Sequence, residues 1–144
     1  MKMSEEGIDF LIKEEGEVLH TYKCQAGVLT IGVGHTGKDV KPNMTITKEQ
    51  SRSLLKSDLK HFESTVNKNV RVSLKQCQFD ALVSFTFNVG SHAFKNSTLL
   101  KKINSNFPAS EIEAEFRKWR RGGGKILPVL VARREREIKL YKGE

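Results

Sequence analysis

The stretch from Glu14 to Gly37 constrains the fold more than any other part of this chain. Glu14-Glu15-Gly16-Glu17 ends an amphipathic helix with Ser4 as its N-cap, Glu5 and Glu6 at its positive end, and Ile8, Leu11 and Ile12 on one apolar face. Gly16 permits the left-handed closing residue. Tyr22-Lys23-Cys24-Gln25-Ala26-Gly27 contains a turn, and Thr30-Ile31-Gly32-Val33-Gly34-His35-Thr36-Gly37 reads as a short β-branched strand running into glycines. Residues 18–34 are therefore expected to form a small β region, with a helix-end carboxylate folded over it and with Cys24 and Thr30 facing that carboxylate. Such geometry suits acid-assisted cleavage of a bond lying across the hairpin. Glu15 sits by the negative end of the helix dipole, and partial burial there would further disfavour the carboxylate, as a general acid requires. The alternative is a solvated acid ending a surface helix.

The remaining chain reads as helical. Thr47 with Gln50 makes a capping box, and Leu55, Leu59, Phe62 and Val66 recur at helical spacing, so a helix is expected from Lys48 to about Lys68. Ser73 with Gln76 makes a second box ahead of Cys77, Ala81, Leu82, Phe85 and Val89, closed by Gly90. A shorter helix is expected from Ser97 to Ser105, and another capped by Ser110 and Glu113 and running to about Trp119. Gly122-Gly123-Gly124 is expected as a flexible loop, followed beyond Pro128 by a last helix carrying Val131, Arg134, Ile138 and Tyr141.

At 144 residues the chain is one domain with room for two lobes. Its charge of +8 is uneven, with three Lys against six Asp or Glu in residues 1–24, and twelve Lys or Arg against six Glu in residues 101–144. A basic surface attracts polyanions without selecting among them. No run is apolar and long enough to span a membrane, and Ser4-Glu5-Glu6 and Asp9 interrupt any signal-peptide pattern, so synthesis in a cytoplasm is expected. Cys24 and Cys77 have neither zinc nor disulfide-framework spacing and are expected as thiols, Cys77 as a small core hydrophobe. The four histidines, at 20, 35, 61 and 92, include no His-x-x-x-His pair, so no metal is expected. Gly32-Val33-Gly34-His35-Thr36-Gly37 matches the dinucleotide fingerprint by letter, but the sequence beyond it, through Lys38, Asp39 and Pro42, offers no helix opening and no following strand. No cofactor is expected. Trp119 is read as a core anchor, and Arg133, Arg134 and Arg136 as a charge run on a solvated face.

Glu15, Cys24 after eight intervening residues and Thr30 after five more, together with the Thr-Ile-Gly-Val-Gly-His run and the segment Arg133-Arg134-Glu135-Arg136-Glu137-Ile138-Lys139-Leu140-Tyr141, resemble the bacteriophage lysozymes, or endolysins, over nearly the whole chain. Many members carry Asp at the middle position, where this chain has Cys24. The resemblance implies an α+β, predominantly helical, two-lobed fold in a single domain, residues 1–144. A small lobe of about residues 15–65 with the hairpin 18–34 would be joined by the long helix to a helical lobe of about residues 70–144 plus the N-terminal helix 4–14.

It also implies hydrolysis of the β-1,4 link between N-acetylmuramic acid and N-acetylglucosamine in bacterial peptidoglycan, and so host lysis. Glu15 would be the acid and Thr30 would position water. Cys24 would act as base in its thiolate fraction, as nucleophile, or as a hydrogen-bond partner of the water. By the same resemblance Phe87, Asn88 and the Asn96-Ser97 step would line the substrate cleft, Arg133 would stand beside the acid, and His35 would pair structurally with Asp58. The expected partners are peptidoglycan and a separate membrane-permeabilising protein, with no nucleic acid, and the expected state is a monomer. The rival readings are a lytic transglycosylase, which leaves an anhydro-sugar, and a non-catalytic basic module binding cell wall or nucleic acid.

Overall fold

The computed structural model describes residues 1–144 and is α+β, mostly helical. In chain order the elements are α1 (Glu5–Glu15), β1 (Val18–Lys23), β2 (Leu29–Gly32), α2 (Lys48–Asn69), α3 (Gln76–Val89), α4 (Ser91–Lys95), α5 (Thr98–Asn104), α6 (Ala109–Arg117), β3 (Arg121–Gly122), β4 (Lys125–Ile126) and α7 (Pro128–Lys142). Contacts divide the chain into two compact units, one of Ile8–Lys60 and one of Met1–Gly7 with His61–Glu144.

In the smaller unit, α1 stops where Gly16 adopts a φ of 80°, and its N–H closes on the Ile12 carbonyl at 2.8 Å. β1 and β2 then pair antiparallel with Tyr22 opposite Thr30 and Lys23 opposite Leu29. The core beneath them consists of Ile8, Leu11, Ile31, Val33, Val40, Leu55 and Leu59, all buried. α2 starts as the sequence predicts, since the Gln50 N–H donates to Thr47 Oγ1 at 3.1 Å and the Thr47 N–H to Gln50 Oε1 at 2.8 Å.

The larger unit is built around α3, whose residues Phe79 to Thr86 are buried without a break, so this helix is enclosed on every side. Phe85 meets the rings of Phe94, Phe116 and Trp119 edge-on, at centroid distances of 6.3, 5.5 and 5.4 Å. Trp119 is thus half-buried against the core, as read from the sequence. The start of α1 is tied here by Asp80 on α3, which accepts from the Ser4 N–H at 3.0 Å, from Gln76 Nε2 at 2.9 Å and from the Ser4 hydroxyl.

Four expectations need correction. No reciprocal box opens α3: Gln78 Oε1 accepts from the Lys75 N–H at 2.9 Å, the lysine side chain can accept nothing in return, and Ser73 lies ahead of the helix start. Helix α6 starts directly after Pro108, whose fixed φ of −59° sets the turn, so Ser110 lies inside it, and it ends at Arg117. The five-residue α4 between Gly90 and Asn96 has no counterpart in the sequence reading. The triple glycine is not a flexible loop but a tight hairpin, with Arg121 opposite Ile126 and Gly122 opposite Lys125. Gly123 and Gly124, at φ of 58° and 80°, supply the two positive angles of a type I′ turn.

Candidate active site

Glu15, Cys24, Thr30, His35 and Asp58 all fall in the smaller unit. Glu15 is the exposed last residue of α1, and Gly16 and Glu17 alone separate it from β1. Cys24 continues the β1 edge, its N–H donating to the Val28 carbonyl at 3.0 Å, while Gly27 N–H donates back to the Cys24 carbonyl at 2.8 Å. Gln25, Ala26 and Gly27 therefore make a three-residue connection ending in a left-handed glycine, with φ of 77°.

Because Cys24 lies opposite Val28 and Thr30 opposite Tyr22, Cys24 and Thr30 are diagonal neighbours on one face of the ribbon. Cys24 is half-buried, and hydrogen bonds from the Val28 and Ala26 backbone hold its thiol below the ordinary range, with the Thr30 hydroxyl adding to the effect. Thr30 is itself buried, and its hydroxyl lies 2.9 Å from the Val28 carbonyl. Its one proton therefore goes either to that carbonyl or to the sulfur. The arrangement holds a thiol of lowered pKa beside a hydroxyl.

His35 locks this ribbon to α2. Its backbone pairs with Ile31 through two hydrogen bonds of 3.0 and 2.9 Å, and Gly32 and Gly34 turn the chain between them at φ of 68° and 67°. The glycines of the apparent fingerprint thus close a turn and open no helix. On the other side of the ring, Nδ1 lies 2.8 Å from Asp58 Oδ2 and Nε2 lies 2.9 Å from Asp39 Oδ2. Burial opposes charge on the ring, but the hydrogen bonds and charges of Asp58 and Asp39 outweigh it and raise the His35 pKa above 6.5. Asp39, four residues on, is a partner that the sequence reading missed, though the i to i+4 spacing was visible.

The remaining candidates belong to the larger unit. Phe87, in the last turn of α3, is half-buried, with its ring 5.1 Å from that of Phe62. Asn88 is exposed and accepts a hydrogen bond from Arg134 Nη2. Ser97 is buried and caps α5, its hydroxyl accepting from the Leu100 N–H at 3.1 Å and donating to the Phe94 carbonyl at 2.7 Å.

Arg133 and Arg134 are not on a solvated face. Both are buried, lying 3.2 and 3.3 Å from the carboxylate of Glu137, which also accepts from Ser84 Oγ at 2.7 Å. Arg133 further donates to the Ser84 carbonyl at 3.1 Å. Burial pushes the Glu137 carboxyl up, while Arg134 and Arg133 draw it back. The charge run hid this cluster, although Arg134 and Arg133 stand three and four residues from Glu137, the spacing of helix neighbours.

Comparison with known proteins gives a consistent answer. The profile of the family described as phage lysozyme matches residues 12–137. The endolysin of Salmonella phage P22 is 44% identical over 145 residues, covering 98% of both chains. The endolysin of Bacillus phage PZA is 43% identical over 143 residues, 98% of this chain but 55% of that protein, so the chain spans about half the length of that relative. Among solved structures, a P22 lysozyme mutant superposes with a TM-score of 0.92 at 43% identity, covering 99% of each chain. The muramidase domain of SpmX from Asticaccaulis excentricus superposes with a TM-score of 0.88 at 33% identity, covering 97% of each.

Proposed function

This chain belongs to the phage lysozyme family and is a glycosidase of that class, and we propose that it hydrolyses the β-1,4 link between N-acetylmuramic acid and N-acetylglucosamine in bacterial peptidoglycan, so lysing the host. The observation that carries the site assignment is the juxtaposition of the Cys24 thiol and the Thr30 hydroxyl on one face of the hairpin that directly follows Glu15. In this proposal Glu15 donates its proton to the leaving glycosidic oxygen as the C–O bond breaks. Thr30 holds the incoming water, and the Cys24 thiolate takes a proton from it as the oxygen bonds to the anomeric carbon. The backbone hydrogen bonds of Val28 and Ala26, which lower the Cys24 pKa, support a part for this thiol as base.

Phe87, Asn88, Ser97 and Arg133 are proposed to bind the glycan. His35 and Asp58 are proposed to hold the hairpin in place. Access to the wall through a separate membrane-permeabilising protein, and action as a monomer, belong to the same proposal. Several relatives are named SAR-endolysins, while no helix of this chain is long and apolar enough to cross a membrane.

The test is reducing-sugar release from purified walls by wild type, Glu15→Gln, Cys24→Ser, Cys24→Asp and Thr30→Val. Loss of general-acid catalysis in Glu15→Gln is expected to cost about a hundredfold or more. Cys24→Asp should retain activity that Cys24→Ser loses, and undiminished lysis by Cys24→Ser removes the thiol from the mechanism. Mass spectrometry of the fragments reports the added water, and anhydro-sugar ends would assign the reaction to a transglycosylase.

A further inference from the structure

The face of the β1–β2 ribbon that carries Cys24 and Thr30 carries two further side chains. Tyr22 is paired directly with Thr30, and Val28 lies opposite Cys24, so the alternation of side chains along a strand puts all four on one side. The other side is closed. There Ile31 is fully buried, and the Thr21 hydroxyl donates to the Lys41 carbonyl at 2.7 Å while accepting from the Met44 N–H at 3.1 Å. On the open side Thr30 offers solvent only 3% of its surface and Cys24 is a small, half-buried group. Val28 is 47% exposed, and the half-buried Tyr22 is the largest side chain of the set. A molecule laid along this face therefore meets Tyr22 and Val28 as it reaches the thiol and the hydroxyl.

An aromatic ring and a half-exposed valine beside two polar reacting groups suit a ligand that is itself polar at its rim and apolar on its faces. A gluco-configured pyranose in its chair form is such a ligand: its hydroxyls radiate around the edge, and C–H groups cover each face, where they complement the negative face of an aromatic ring. Resting on the glycosidase site assigned above, we propose that Tyr22 and Val28 form an apolar platform for one pyranose ring of the glycan, Tyr22 by stacking and Val28 by flanking contact, and so hold that sugar beside Cys24 and Thr30. The platform belongs entirely to the smaller unit. The ring of Tyr22 makes the contact, and its hydroxyl has no part in it.

The experiment is steady-state hydrolysis of solubilised, uncrosslinked glycan strands by wild type, Tyr22→Phe, Tyr22→Leu, Tyr22→Ser, Val28→Ser and Val129→Ser, the last removing a 71%-exposed valine of the larger unit. Loss of about 60 Å² of apolar contact corresponds to about tenfold in affinity, so Tyr22→Ser should raise KM about tenfold and Val28→Ser about threefold. In both, kcat should stay near wild type, as it does when bound substrate and transition state lose the same contact. Tyr22→Phe and Val129→Ser should match wild type, and Tyr22→Leu, which keeps bulk without an aromatic face, should fall between Tyr22→Phe and Tyr22→Ser. Thermal midpoints show that each variant is folded, and Tyr22→Leu carries the comparison if Tyr22→Ser is not. An unmoved KM in the variants that remove the ring overturns the proposal, as does a fall in kcat alone. Equal impairment of Tyr22→Phe and Tyr22→Ser also overturns it, since the hydroxyl would then be the active part. Calorimetric binding of the same strands to Glu15→Gln with and without Tyr22→Ser separates the platform from the catalytic assignment. Hydrolysis surviving in Glu15→Gln would refute the acid, whereas equal affinities of the two proteins would refute the platform.

Discussion

Replacing Asp58 by Asn isolates the charge that holds the hairpin to α2. In the native protein both ring nitrogens of His35 face carboxylates, Nδ1 at 2.8 Å from Asp58 and Nε2 at 2.9 Å from Asp39, an arrangement that only the doubly protonated ring satisfies as donor on both sides. The His35 side chain is 13% exposed, Asp58 33% and Asp39 61%, so the Asp58 contact is the less screened of the two. The amide introduced by Asp58→Asn would keep an acceptor in place and lose only the charge-assisted part of the bond, worth about 1–2 kcal/mol. At this chain length that corresponds to a fall of about 2–8 °C in Tm.

The pH dependence gives the sign. A folded-state pKa raised above the ordinary 6.5 means that the pairing contributes fully below that value and is lost as pH rises through the folded pKa. The stability gap between wild type and Asp58→Asn should therefore be widest near pH 5.5 and shrink by pH 9, read by urea unfolding at both. The His35 titration midpoint, followed by nuclear magnetic resonance, should fall in the variant. An equal gap at both pH values, or an unmoved midpoint, refutes the reasoning.

Gly7→Ala should destabilise even though Ala favours a helix interior by about 1 kcal/mol. The new methyl would stand 2.5 Å from Asp80 Cγ, and relieving that overlap is expected to cost a net of about 1–3 kcal/mol in denaturant melts. Glu137→Gln removes the carboxylate shared by Arg133 and Arg134 and should cost about 3 kcal/mol or more, seen as a lower thermal midpoint. Phe85→Ala, at a fully buried ring touching three aromatic neighbours, should cost about 3–5 kcal/mol. The Cys24 thiol should reach half-maximal alkylation by iodoacetamide at a lower pH than an unperturbed cysteine, and an ordinary profile would contradict the backbone hydrogen bonds assigned to it.

Local chemistry made much of this molecule legible from its residues. Ser4, Gly16, Thr47 with Gln50, and Gly90 each act within one turn of chain, and each marks a helix end where expected. The hairpin was legible because its β-branched run and its turn are contiguous. Ser73 and Ser110 carry good capping chemistry, yet their near neighbours Gln78 and Pro108 fix the helix starts instead. Features set by distant partners were not legible. Arg133 and Arg134 look solvated by composition, and only the return of α7 against α3 supplies Ser84 and buries them. The triple glycine reads as slack until Leu127 is placed, because the same absence of side chains serves flexibility or close packing.

The connection at Gln25, Ala26 and Gly27 has a bearing on how such proteins vary and how they are engineered. Its first two residues are exposed, so substitutions there should pass almost unnoticed. Its count is another matter: one residue more or fewer would slide the register by a step and rotate the sulfur to the far side of the ribbon from the threonine. This short arc tolerates diversity of letters but not of length, and epitope tags or randomised libraries placed in it must conserve three positions with a left-handed third.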